Sequence, residues 1–478
     1  MMKTLVIKEI RTSILSFRFL ASFVILFVVV SVTASVLTSN YLRRQAEYSQ
    51  RQAEIDRYLG TYAHFNRIGA ILQATQPPIP FQTLIRGLTA EINLEEFDDD
   101  PLPVMFPLID LTFIVTILVS LIALILSYDV VCGEKEDGTL KQMLSNGLSR
   151  SKIVLAKFTG GAVTLIVPFL ISLSAGMLII LLQPGVNWPA SDWGALGLIV
   201  LGAFFYVAIF YLIGLLISSL HASSASSIMT SLFIWVLLVL IVPNLSPYLS
   251  SFLSPTPSRI MIAREVRRLT DVDRDDLGRK LEAKYRSEVV KQYPALAEQL
   301  SEAEVKRRVA SDPEYRTAYE AMRAAEQKAW DEANRIQDAK RNALTADLQQ
   351  KEEAQTSLAR SISMASPLAD FAYLATDLSS TGTRNTAHLG QLWQAWESVF
   401  YRDYEPKKMA ELKAKDPTAD LWNTPIDMTD VPRFHSLRRP SVLGSNQFCH
   451  RSRSCLAIAS CFSPLLTLRS SVMTCGEE

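Results

Sequence analysis

The sequence predicts an all-α integral membrane protein with a helical, partly coiled-coil domain outside the bilayer. Two observations carry this expectation: five long apolar runs in the first half, and a highly charged helical region after Arg259. The formal net charge is zero, which gives no global bias toward nucleic acid or a strongly acidic partner. Partners must therefore be argued from local segments.

The apolar runs cover residues 19–37, 106–127, 160–182, 194–217 and 226–242. A bilayer core about 30 Å thick requires about 20 apolar residues in helical form, which these runs approach or exceed. Their interiors hold no Lys, Arg or Glu, and Asp110 lies near one end of its run. A charge at the bilayer centre costs about 2.5–3.5 kcal/mol, so that omission is informative. The first run is longer than the apolar core of a cleavable signal, about 7–15 residues, and no suitable cleavage site follows it. An uncleaved signal anchor is expected.

Basic loops stay in the cytoplasm. The loop after the second run carries Lys135, Lys141, Arg150, Lys152 and Lys157, whereas residues 183–192 carry no Lys or Arg. The expected arrangement has residues 1–38 as a cytoplasmic start and first membrane helix, and 39–105 outside. Helices two to five follow within 106–247, with a cytoplasmic loop at 128–158, and a helical outer domain occupies 248–444. Trp188 and Trp193 then belong to the outer interface, where amphipathic rings are favoured.

In the outer domain, Ser301 with Glu304 and Ser311 with Glu314 match the capping box of a helix start. Beyond Pro313, Tyr315, Tyr319, Met322, Ala329, Ala333, Ile336 and Ala343 form a narrow stripe at helical spacing, as expected of a long helix packed on another. The text from Ser366 is more apolar and is expected to return toward the membrane. There, residues 379–383 read as a turn, and Trp393 and Trp396 as anchors.

Residues 445–478 break the pattern. They hold Cys449, Cys455, Cys461 and Cys475, interrupt each apolar piece with Arg or Pro, and match no common zinc spacing. A frameshift that replaced a sixth membrane helix is expected. Translating the other two forward frames of the coding DNA from Ser445 tests it, and the absence of an apolar run of about 20 residues in both would refute it.

The segment GEKEDGTLKQMLSNGLSRSKIVLAK, residues 133–157, lies between the second and third apolar runs. Its two glycines are spaced as in a phosphate-binding loop. However, Thr139 stands where that loop needs Lys, and Glu134, Glu136 and Asp137 would repel a triphosphate. Ser149 and Lys152 satisfy S-x-x-K without the partner motifs of an enzyme that uses it. No metalloprotease, hydrolase or redox motif occurs, so no catalytic, cofactor-binding or metal-ligating residue is assigned. Asp110 is a candidate substrate contact, because intramembrane carboxylates are often functional, or else a hydrated interfacial group. Gly194, Gly197 and Gly202 are candidates for close helix approach.

The same segment resembles the cytoplasmic loop of ABC-2 type exporter permeases through Glu134, Glu136, Gly138, Thr139, Leu140, Leu144, Ser149, Arg150 and Lys157. The plan of the chain up to residue 444 is similar to a group of these permeases with a large outer insertion, the DUF3526-like group. Gly147 stands where that pattern commonly has Pro, and Ala156 where it has Gly. The resemblance implies a non-catalytic membrane subunit of an exporter in the bacterial cytoplasmic membrane, without an ATP site of its own. Its loop would be a coupling helix resting in a cleft of a separate ATP-binding subunit, which holds ATP and Mg. A second permease copy or a homologous permease would complete the pathway. The contrasting expectation from another class is a membrane-anchored sensor or scaffold whose outer helices bind a partner.

Overall fold

A computed structural model describes residues 2–61, 63–71, 77–87, 109–146, 148–297, 301–415, 422 and 424–434. The atypical tail with its four cysteines, Gly147 and all of 88–108 lie outside these residues. All regular structure among the described residues is helical. They form two compact units, Met1–Pro243 with Met364–Glu478, and Asn244–Ser363. Five helices are long and apolar enough to cross a membrane: Phe17–Gly60, Leu111–Glu136, Arg150–Leu181, Ala190–Leu220 and Ser224–Leu253.

The first unit opens with the amphipathic helix α1 (Met2–Ile14), followed by α2 (Phe17–Thr61) and α3 (Phe65–Ile71). At 45 residues α2 rises about 67 Å, more than twice the bilayer core. The expected crossing ended at residue 37, where the apolar text stops. The helix runs on because the charged residues beyond Asn40 are still good helix formers.

A turn of helix at Leu111–Phe113 then leads through a π-helical stretch, Ile114–Val119, into α4 (Ser120–Ser127). The short helices α5 (Cys132–Glu136) and α6 (Thr139–Ser145) precede α7 (Arg150–Leu181) and α8 (Ala190–Leu220). The fifth span begins as α9 (Ser224–Trp235), passes a second π-helical stretch, Val236–Ile241, and continues as α10 (Val242–Leu253).

A π turn leaves carbonyls that the regular ladder does not use, and in an apolar setting they need outside donors. Here Tyr206 on α8 donates to Thr116 O at 2.8 Å in the first stretch, and Ser366 donates to Leu238 O in the second. Trp235 Nε1 donates to Ser120 Oγ at 2.9 Å, tying the fifth span to the second.

The second unit contains α11 (Arg259–Arg267), α12 (Arg274–Gln292), α13 (Glu302–Ser311) and α14 (Pro313–Ser363). The expected pairing of a long helix with another is α14 against α12. Trp330 of α14 fills the space above Gly278 of α12, and its Nε1 donates to Glu282 at 3.3 Å. Ser301 and Glu304 form the expected capping box. The second box does not form: Ser311 ends α13 by bonding Arg307 O, and Asp312 instead accepts from Glu314 N at 2.9 Å. Pro313 breaks the helix one residue later than that box required, so Asp312 is the residue left with the extended backbone of a cap. The buried stripe of α14 keeps Tyr315, Met322, Ala329 and Ala333, but takes Ala318 and Gln337 rather than Tyr319, Ile336 and Ala343.

The chain re-enters the first unit at α15 (Pro367–Leu378), with α16 (Thr383–Val399) and α17 (Glu405–Lys415) beyond. As expected from its apolar text, α15 packs on a membrane-type helix: Phe371 stacks on Tyr206 of α8 with ring centroids 5.5 Å apart. Gly202 makes room for Leu374 of α15, whereas the positions above Gly194 and Gly197 are open. Trp188 is buried, with its ring centroid 4.9 Å from that of Phe81 in the short helical turn at Pro80–Thr83. A smaller core joins the far end of α2 to the end of the described chain, through Ile55, Leu59, Phe65, Phe400, Met428 and Val431. Trp396 anchors it by donating to Pro432 O at 2.7 Å.

Candidate coupling hub

The 133–157 segment folds as two short helices meeting at Gly138. Its φ of +72° is left-handed, which costs a residue with a Cβ about 1–2 kcal/mol. Gly138→Ala is therefore expected to destabilise the bend by about that amount. Increased protease cleavage between α5 and α6 with unchanged membrane insertion checks this.

Three consecutive side chains of α5 engage three different partners. Lys135 Nζ donates to the carbonyls of Ser219 at 2.6 Å and His221 at 3.1 Å, at the C-terminal end of α8. Glu136 accepts from Ser224 N at 2.9 Å and Ser224 Oγ at 2.7 Å, at the N-terminal end of α9. Both charges match the sign of the helix end they meet, the cation at exposed carbonyls and the anion at exposed N–H groups.

Glu134 points elsewhere, between Lys8 of α1 at 3.1 Å and Lys157 of α7 at 2.9 Å. Lys157 also lies 3.4 Å from Glu9 of α1. Burial of Lys8 disfavours its charge, but the two carboxylates outweigh this and hold its pKa above the ordinary value. Two further contacts secure the hub: Arg18 at the start of α2 pairs with Asp129, and Ser218 Oγ accepts from the backbone N of Val131 and Cys132 at 2.9 and 3.0 Å.

The sequence-derived residues thus divide into two sets. Glu134, Glu136 and Lys157 face other parts of the same chain. Leu140 and Leu144 lie on α6, where both are half-buried within the chain. Gly138 caps α6 and Thr139 begins it, with its hydroxyl 3.4 Å from Glu134 O. Ser149 caps α7 with its extended backbone, and Arg150 is the first residue of that helix. Sequence reading missed Glu9, Lys135 and Ser224 as members of the hub. A charged pair on an amphipathic start helix is a signal that Lys8 and Glu9 are special, but nothing local points to their partners.

Asp110 has a structural role. It is buried and caps its own helix, accepting from Phe113 N at 2.8 Å and Arg86 N at 3.2 Å. Asp110→Ala is expected to cost about 1–2 kcal/mol of stability through loss of the cap. A lower thermal midpoint in detergent, with unchanged membrane insertion, checks that role. Among the described residues no group of three His, Cys, Asp or Glu side chains converges as a metal site.

Five apolar spans joined at one end by a polar hub define a multi-pass membrane protein. The chain belongs to the ABC-2 family of transporter proteins, which it matches over residues 3–402. It is similar to a probable ABC transporter permease protein NosY of Pseudomonas aeruginosa, with 34% identity over 132 residues, 27% of this chain and 48% of that protein. The corresponding protein of Stutzerimonas stutzeri is 33% identical over 132 residues, with the same shares covered. The chain thus spans about half the length of the curated relatives it matches.

Proposed function

We propose that the chain is the permease subunit of an ATP-driven exporter and that α6 is its contact with a separate ATP-binding subunit. The observation that carries this reading is the combination of an apolar face on α6 that the chain covers only in part with an adjoining α5 that grips α1, α7, α8 and α9. Leu140, Met143 and Leu144 supply that face at helical spacing. A rigid-body movement of α6 would reach the membrane helices through the hub. The excess of Lys and Arg around the hub supports its location on the cytoplasmic side of a bacterial inner membrane. On this reading residues 39–105 and 248–444 lie outside, and two permeases, either two copies of this chain or one with a homologous permease, work with two ATP-binding subunits.

Purification of the tagged protein from its native host in mild detergent, with mass spectrometric identification of what accompanies it, tests the reading. A stoichiometric partner with a nucleotide-binding motif is the expected result. Its absence around a correctly inserted chain would favour a sensor or scaffold.

A further inference from the structure

We propose that Lys157 is a positioning residue that transmits displacement of α5 and α6 to the third membrane helix α7. The inference rests on the coupling role proposed for α6. It reassigns Lys157 and Glu134, which lie within the 133–157 segment, from the subunit interface to the interior of the chain.

The side chain of Lys157 is only 2% exposed, and it ends in an amino group that water can hardly reach. Such a group keeps its charge only if carboxylates stand in for lost water. Glu134 Oε2 at 2.9 Å and Glu9 Oε1 at 3.4 Å do so, and they come from two other helices. The approach of α1 is built in: a Cβ at Gly160, one turn beyond Lys157, would lie 2.7 Å from Glu9 Cβ. Tyr211 of α8 donates to the Lys157 carbonyl at 3.3 Å and fixes the backbone beneath the side chain.

The other links of α5 differ in kind. Lys135 and Glu136 engage the ends of α8 and α9, two helices already held together by the short turn between them. Glu134 instead reaches the flank of α7, two turns inside that helix. Without Lys157, Glu134 and Glu9 are left facing one half-exposed cation, Lys8. The paired charges then no longer bind α5, α1 and α7 into one body. A displaced α6 would pull on the fourth and fifth spans and leave the third behind.

The test uses the full complex with its ATP-binding subunit, the five native cysteines replaced by Ser, and an environment-sensitive fluorophore at one of two introduced cysteines. Gln142→Cys reports on α6, and Leu182→Cys, 71% exposed, reports on the far end of α7. In the unsubstituted hub, trapping with ATP and vanadate is expected to shift both probes. Lys157→Met is expected to keep the ATP-binding subunit and the Gln142→Cys shift while losing the Leu182→Cys shift. Lys157→Arg should restore it, and Glu134→Gln, which leaves Glu9 in place, should reduce it. A merely structural lysine would weaken both probes together, and that result, or a full Leu182→Cys response in Lys157→Met, would overturn the proposal. No shift at either probe in the unsubstituted hub, or no ATP-binding subunit retained there, would instead overturn the coupling role on which it rests.

Discussion

Replacing Leu140 and Leu144 together by Asp is expected to abolish association with the ATP-binding subunit while leaving the membrane fold intact. Fully burying an exposed leucine contributes about 1.5–3 kcal/mol, and completing the burial of a half-buried one about half of that, so losing two weakens the complex by at least about tenfold, before the cost of burying two carboxylates. The membrane fold should survive because Leu140 and Leu144 are only half-buried and no residue of α6 belongs to either hydrophobic core of the described residues. Co-purification with the partner is the measurement, and a normal yield of correctly inserted protein is its control. Retained association would remove α6 from the interface.

Phe371→Ala is expected to have the opposite profile, with a large loss of stability and no direct effect on the α6 contact. Phe371 is 3% exposed and belongs to the main core with Ala375 and Leu378 of the same helix. Truncating a buried phenylalanine costs about 3–5 kcal/mol, part transfer and part cavity. The stack on Tyr206 is lost with it, at a site where Tyr206 also holds the first π turn through Thr116 O. The unfolding midpoint in detergent should fall by several degrees, and a cysteine pair at Leu374 and Gly202, now in contact, should cross-link less efficiently. An unchanged midpoint would mean that α15 contributes little to the core.

The elements most legible in the sequence are those set by local physics. Long apolar runs become helices because no other structure closes its hydrogen bonds within one segment, and Pro313 marks a helix start because proline fits the first turn. Gly138 was readable as a bend for the same kind of reason, since left-handed backbone favours glycine. Contacts between distant segments were not legible. Nothing in the text around Trp188 announces Phe81 as its neighbour, and nothing around Asp110 announces the Arg86 N–H that it accepts from.

By itself, the sequence determined the all-helical membrane class, the positions of the spans, the long pairing helix of the second unit and the place of the 133–157 segment between two crossings. Each of these depends on hydropathy, propensity or backbone restriction within a few turns. Only the tertiary structure decided what the charges of that segment do. Glu134 and Lys157 could have faced solvent or a partner, and their local text permits either. They face each other, with Lys8 and Glu9 alongside, because α1 folds back on α7 across the gap left by Gly160. An ion pair forms where chain packing brings opposite charges together away from water, and that juxtaposition is not encoded in either stretch alone.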